Sequence, residues 1–347
     1  MNTEELKQIQ LSRQYITKNT SKETVIRNLC GIQCQFLSNA VHSLIIRCNE
    51  KISNASLGDD IIKNWTIRGT LHMILEEDLP LFKYDDGFYL SNSWLDEFSG
   101  GRMWITGERK KYFADYIVKS VAAGIEKRDD LRLACREGGM TSIEESYIFD
   151  SWGGLLRPLC ERGFIQYKVK AEKAFKLSKP YIPMKDNEAA KQQMMRYLNH
   201  IAPATVNDIS YFFGFTKKYV KELLSELPVR TIMIDGKQYF YMGDIYADCP
   251  DIPGCIFLAG FDQLMLGYQK KESIYLKTEY LRNVFNLAGI VMPCVLLRGN
   301  AAGTWKKKNG NLEIICFREL LNYEKESIEQ AAILLWNDIK AVKYNLL

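Results

Sequence analysis

Residues 204–227 read ATVNDISYFFGFTKKYVKELLSEL, and they divide into two short helical runs around a glycine. Thr205 is a suitable N-cap for the first run, because its hydroxyl can accept from a backbone amide in the first turn. Gly214 supplies the turn, and Thr216 caps a second run from Lys217 to Leu227. Two short helices joined at a glycine are the helix-turn-helix pattern. Residues 229–242 follow with Asp235-Gly236 at their centre, a dipeptide that favours a tight hairpin and would supply a wing. A helical run over 187–200 precedes the pair. The segment 186–248 is therefore expected to be a winged helix.

Similar order is visible upstream. Helical periodicity runs from Glu4 to about Ile16, and Thr20 or Ser21 opens a second helix with Glu23 placed to close a capping box. A third run after Gly31 carries Phe36, Leu37, Val41, Leu44 and Ile45 on one stripe. A short helix is expected over 57–65 and a strand over 66–74, giving a first unit of 1–95. The next unit, 96–185, has helical patterns over 108–127 and 144–161, then strands over 164–168 and 173–177, with Pro180 and Pro183 marking its end. Beyond residue 249 the character changes. Runs at 255–258, 295–297 and 312–317 are β-rich, and Gly299-Asn300 and Asn309-Gly310 mark hairpins. The expectation for 249–347 is a β-barrel-like region or curled sheet closed by an amphipathic helix over 328–342. The fold class is α+β: about three tandem winged-helix units and a C-terminal β-rich region.

Composition bounds the function without naming it. The chain has 347 residues, 47% of them hydrophobic and 25% charged, as expected of packed globular units. A net charge of +4 is too mild to announce a polyanionic partner, so any basic surface must come from clustering. No run approaches the roughly 20 apolar residues of a membrane span, and the charged N-terminus does not read as a secretory signal. Nine cysteines are scattered without a C-x-x-C pair, and only three histidines are present. Buried free thiols in a reducing compartment, the cytoplasm, fit better than disulfides or a zinc site. His42 lies beside Val41 and Leu44 and is expected to pack, with one ring nitrogen satisfied. No G-x-S-x-G, H-E-x-x-H or Gly-rich phosphate loop occurs.

At Gly31-Ile32-Gln33-Cys34-Gln35 the sequence becomes more specific. With Arg47, Arg68-Gly69-Thr70-Leu71-His72, Gly260-Phe261-Asp262 and Gly303-Thr304-Trp305, it resembles the winged-helix DNA glycosylase family that includes AlkZ and YcaQ. In that family a Gln-x-Gln or Gln-x-Asp pair lies near the N-terminus. The four ordered motifs cover nearly the whole chain. The chain departs from many members at Gln269-Lys270-Lys271, where Lys271 keeps a charge but lacks the planar fork of Arg.

The resemblance implies that Gln33 and Gln35 are the catalytic pair of a monofunctional glycosylase acting on duplex DNA. The chemistry is coherent. Gln is neutral and cannot serve as a general base, but its amide both donates and accepts hydrogen bonds. An N7- or N3-alkylated purine is already cationic and leaves without protonation, so the remaining work is to place a water and stabilise an oxocarbenium-like sugar. Bulky adducts or interstrand crosslinks fall within the same chemistry. Neither a metal nor a cofactor is needed. Residues i and i+2 lie about 200° apart on a regular α-helix, so the pair converges only if the backbone is irregular there, which Gly31 permits.

Candidate DNA contacts are Arg68 and Gly69 on the expected strand; Lys217, Lys218 and Lys221 on the second helix of the third unit; Lys271; and Trp305, Lys306, Lys307 and Lys308 at a hairpin. Each has an ordinary alternative as an ion pair, solvated helix face or charged turn. Trp94, Trp104, Tyr112 and Tyr116 could stack bases but at helical spacing are more readily core. The partner expected is double-stranded DNA, with no membrane, no obligate protein partner, and a monomer by default. Two rival readings remain: a non-catalytic winged-helix transcriptional regulator and a scaffold whose helices never touch DNA.

Overall fold

A computed structural model of the chain describes residues 1–66, 68–83, 105–170, 173–246 and 249–347. These residues form two compact units, one of Met1–Ser56 with Gln193–Leu347 and the other of Leu57–Gln192. The division falls within helix Asp186–His200. The expected boundary at 95/96, and with it Trp94 and Trp104, lies outside the described residues. The fold is mixed α+β.

In the first unit, helices Thr3–Arg13, Lys22–Asn28 and Leu37–Ile45 precede the long gap in sequence. Helices Val206–Phe213 and Lys217–Ser225 then follow the end of Asp186–His200, and strands Arg230–Ile234 and Lys237–Tyr241 pair antiparallel. The local signals act here as read. Thr205 and Asp208 form a reciprocal capping box, and Gly214 takes the left-handed φ of 71° that ends the first helix. Asp235 and Gly236 both adopt positive φ, as the two-residue hairpin requires. The Asp208 carboxylate also accepts from the Gln269 amide at 2.9 Å, so the cap ties the helix pair to the C-terminal region.

That region is an open five-stranded sheet. Its order is Ala341–Leu346, Asn311–Cys316, Asn300–Lys308, Cys294–Leu297, Cys255–Leu258, with the first and last as edges. Neighbours are antiparallel except Asn311–Cys316 with Ala341–Leu346, which run parallel. No closed barrel forms among the described residues. The helix expected over 328–342 spans Asn322–Leu335 instead, and the chain turns at Asn337-Asp338 into an edge strand. Its apolar period changes there from the helical to the two-residue spacing of a strand. Ile328 and Ala332 pack this helix on Cys255, Phe257, Val295, Leu312 and Ile314.

The second unit contains strands Leu71–Leu75, Ile61–Trp65, Ile165–Tyr167 and Phe175–Leu177, side by side in that order. Residues 61–65 were expected to be helical. The β-branched start Ile61-Ile62 and the antiparallel register with 71–75 make them a strand. The strand expected over 66–74 is broken by a turn, in which Gly69, at φ 77°, donates to the Thr66 carbonyl at 2.8 Å. The 144–161 helix is two, Ser142–Ile148 and Leu156–Glu161, parted by Gly153 and Gly154 at positive φ. Helix Gly107–Ala122 contributes Phe113, Ala114 and Ile117 to a core shared with Leu131, Leu156, Leu159, Ile165 and Phe175.

The Thr205–Asp208 cap yields a direct test. Thr205→Ala should lower stability by about 1 kcal/mol, read as a shifted urea midpoint at unchanged slope, whereas Thr205→Ser should retain it.

Candidate functional site

Gln33 and Gln35 lie neither on a helix nor in a free loop. Cys30 and Gly31 adopt left-handed φ of 57° and 82°, which turns the chain out of helix Lys22–Asn28. Residues Ile32–Gln33 are then extended, and Phe36 takes the N-cap position of helix Leu37–Ile45. The extended stretch ends at Gln33, and Gln35 lies in the bend that leads into helix Leu37–Ile45. Cys34, between the two, is fully buried. Gln33 is only 9% exposed, while Gln35 faces solvent. Neither carboxamide has a hydrogen-bond partner among the described residues.

The backbone around them is held by a distant segment, residues 260–263. Gln263 Nε2 donates to the Leu29 carbonyl at 3.1 Å. The Phe261 ring, on a residue at φ 58°, lies 6.0 Å from that of the half-exposed Phe36. At Gly260 an added Cβ would stand 2.8 Å from Asn39 Nδ2 and 3.0 Å from the Val291 carbonyl, so glycine is what lets the segment approach helix Leu37–Ile45.

Asp262 anchors the segment. Its carboxylate accepts from Arg47 Nη1 at 2.8 Å and Nη2 at 2.7 Å, from Ser43 Oγ at 3.0 Å and from the Leu264 amide at 2.9 Å. Both partners of the ion pair are 0% exposed. Arg47 Nε donates to the Gln14 carbonyl and Nη1 also to that of Ser43, each at 3.0 Å, so the guanidinium is satisfied on every side. Burial by itself would raise the Asp262 pKa. The Arg47 charge and the four hydrogen bonds outweigh it and hold the carboxyl below its ordinary value. Asp262, Gln263, Phe36 and Asn39 were absent from the sequence-level site. The Gly260-Phe261-Asp262 motif marked the place, but nothing local tells which atoms it reaches.

Neither His42 nor the thiols of Cys48, Cys135, Cys255 and Cys294 are set up as an acid, base or nucleophile. His42 is buried, donates to or accepts from the Phe257 carbonyl at 2.8 Å, and packs against Trp305 and Trp336. Burial lowers its pKa. Burial pushes the thiols of Cys48, Cys135, Cys255 and Cys294 up to about 12, away from thiolate chemistry. Among the described residues no group of three His, Cys, Asp or Glu is placed to hold a metal ion, and no helix is long and apolar enough to cross a membrane.

The expected contact residues are dispersed. Lys217, Lys218 and Lys221 are exposed on their helix, and Lys218 stands 3.9 Å from Glu222. Lys271 is exposed in a single 3-10 turn. Lys306 and Lys308 face solvent, but Lys307 pairs with Asp338 at 2.7 Å. Trp305 is half-buried, donates from Nε1 to the Leu258 carbonyl at 2.8 Å and belongs to the sheet core. Arg68 and Gly69 sit in the second unit, on the turn rather than the expected strand, because Gly69 reverses the chain.

Among the described residues, two carboxamides are thus left without a hydrogen-bond partner on a braced backbone. The model of the AlkZ-like DNA glycosylase family matches residues 26–335, and the chain belongs to that family. It is 24% identical, over 93% of its length and 92% of the relative's, to the interstrand DNA cross-link repair glycosylase of Streptomyces sahachiroi. The solved structure of Streptomyces sahachiroi DNA glycosylase AlkZ matches the whole of both chains with a TM-score of 0.78 at 21% identity, a likeness of fold.

Breaking the buried pair should be costly. Asp262→Asn or Arg47→Met should destabilise by about 3–5 kcal/mol in urea unfolding, because either leaves a buried polar group unmatched. The pH dependence has a definite sign. The folded-state pKa of Asp262 lies below its ordinary 3.8, so its contribution is complete above that value and is lost as pH falls through the depressed one. Urea titrations between pH 5 and pH 2, in about single-unit steps, should show a loss in the native protein that Asp262→Asn lacks.

Proposed function

We propose that this chain is a monofunctional glycosylase that hydrolyses the N-glycosidic bond of alkylated, cationic purines in duplex DNA, with Gln33 and Gln35 as the catalytic pair. One observation carries this reading: in a member of the AlkZ-like family, both carboxamides are unengaged while their main chain is held by Gln263 and by the left-handed Cys30-Gly31 turn. Oriented neutral dipoles suit a departing base that brings its own positive charge. They would be a poor match for a neutral base, which needs protonation to leave. The solvent exposure of Gln35 fits an attacking water and leaves room for bulky adducts, and the crosslink-repair name of the streptomycete relative points the same way.

A hydrolytic rather than lyase reaction is favoured because a lyase needs an accessible amine with a lowered pKa. Burial lowers Lys83 to about 7, but its Nζ is sealed inside the second unit and donates to the Trp65 and Cys160 carbonyls at 2.6 and 2.8 Å. The helix pair 206–213 and 217–225 with its hairpin is read as one of about three winged-helix units. Exposed Lys217 and Lys221 are read as backbone contacts.

Duplex DNA bearing N7-methylguanine tests the chemistry. The native protein should generate heat-labile strand breaks, and Gln33→Ala with Gln35→Ala should lower single-turnover excision by at least about 100-fold, the scale for losing oriented transition-state donors, with unchanged duplex affinity. Undiminished excision by the double variant would remove the mechanism; absence of excision on this and on bulkier adducts would favour a non-catalytic regulator.

DNA affinity should fall steeply with added salt. Lys217→Glu with Lys221→Glu should weaken it and flatten the salt slope by about 2; a native affinity indifferent to salt would favour the scaffold reading.

A further inference from the structure

A cavity of about 400 Å³ opens in the first unit, at the end of the C-terminal sheet where strand Cys255–Leu258 begins and the Arg298-Gly299 turn reverses the chain. It is lined by Lys277, Tyr280, Arg298, Asn300, Arg318 and Tyr323, among others. The glutamine pair belongs to the other end of the same strand, where Leu258 leads into Gly260. The five residues between Gly254 and Gly260 separate the two places by roughly 20 Å.

Arg298 is the unexpected member. It occupies the first position of a two-residue hairpin turn, with φ 46° followed by Gly299 at 76°. This geometry favours Asn, Asp or Gly at that position, and a long side chain there is strained. The same turn chemistry is met at Asn309-Gly310 and Asp235-Gly236 in this chain. Backbone preference therefore does not account for Arg298, and neither does an internal ion pair. It is exposed and makes no ion pair within 4 Å among the described residues; the nearby Glu324 is gripped by Arg318, and the Arg298 charge helps to hold its carboxyl below the ordinary value.

The neighbouring charges leave a positive surplus. Arg318 grips Glu324 with bonds of 2.5 and 2.7 Å, and that pair cancels. Lys277 stands 3.8 Å from Glu279, but both are largely exposed and the attraction is screened. A guanidinium at a cavity mouth with no carboxylate in direct contact suits a phosphate group, which it meets through two parallel bonds. The volume exceeds what a bare phosphate needs. The walls add the ring of Tyr280, stacked 4.6 Å from Phe317, and the half-exposed ring of Tyr323, surfaces suited to a planar heterocycle.

We propose that this cavity is a second binding site, for a nucleotide: a phosphate ester held by Arg298 with its base against the tyrosines. The nucleotide is either free or the phosphorylated end of a DNA strand. The site is independent of excision chemistry, so it stands or falls apart from the glycosylase reading.

Calorimetric titration of the full chain at low salt tests it, with deoxyguanosine 5′-monophosphate, deoxyguanosine, inorganic phosphate and a short 5′-phosphorylated single strand as probes. The nucleotide or the phosphorylated strand should bind about tenfold or more tighter than phosphate or the nucleoside, since each of these lacks one half of the contact. Binding of the mononucleotide identifies the free ligand; binding of the strand alone identifies the DNA end. Arg298→Asn suits the turn better than arginine and so should keep or raise the thermal midpoint, yet weaken binding about tenfold or more. Tyr323→Ala should weaken the nucleotide without affecting phosphate. Absence of binding by both nucleotide probes, equal binding of phosphate and nucleotide, or an unchanged affinity in Arg298→Asn overturns the proposal.

Discussion

The fully buried Arg47–Asp262 pair is the interaction on which the rest of the first unit depends. It ties the end of the third helix to a segment 215 residues further along, and a third element, through the Gln14 carbonyl, completes the arginine's coordination. Removing two charges from water costs several kcal/mol per ion, and only a complete set of hydrogen bonds offsets that. The set is complete here: the carboxylate accepts from two arginine nitrogens, a serine and a backbone amide. Such a pair contributes little net stability compared with an apolar filling, but it permits a single arrangement. That arrangement delivers Gly260, Phe261 and Gln263 to the backbone that carries Gln33 and Gln35.

Under the proposed function, this frame matters because the groups it carries are uncharged. A carboxamide in water reorients freely, and its dipole does nothing for a cation that forms fleetingly beside it. The left-handed turn on one side and the short helix on the other fix the main chain that carries the pair and so narrow the directions each carboxamide can take, as the proposed mechanism requires.

Local chemistry made part of this legible in advance. Thr205, Gly214, Thr216, Asp235-Gly236 and Asn309-Gly310 act through a few neighbouring atoms, and the chain obeys them. Where two helices were read as one, at 144–161, the glycines at 153 and 154 were masked by apolar periodicity that continued on either side. Residues 61–65 were misassigned because a short apolar run carries no period of its own. The contacts that brace the motif were not legible. Gln263 meets Leu29 across 234 residues, and no propensity or spacing encodes a bond of that range. Motif resemblance flagged both ends of it without showing that they meet. The dispersal of Lys306, Lys307 and Lys308 likewise follows from strand alternation and from Asp338, which approaches only once the edge strand is in place.

The bond from Gln263 ends on a main-chain carbonyl, as do two of those made by Arg47. The scaffold thus grips the polypeptide and, among the described residues, makes no hydrogen bond to the side chains of Gln33 and Gln35. Exchanging either glutamine for another polar residue removes no side-chain hydrogen bond among the described residues, although at Gln33, only 9% exposed, the packing changes as well. Under the proposed reading, substitutions at these two positions would alter the chemistry while the distant arginine and aspartate stay locked together by the penalty of losing either one.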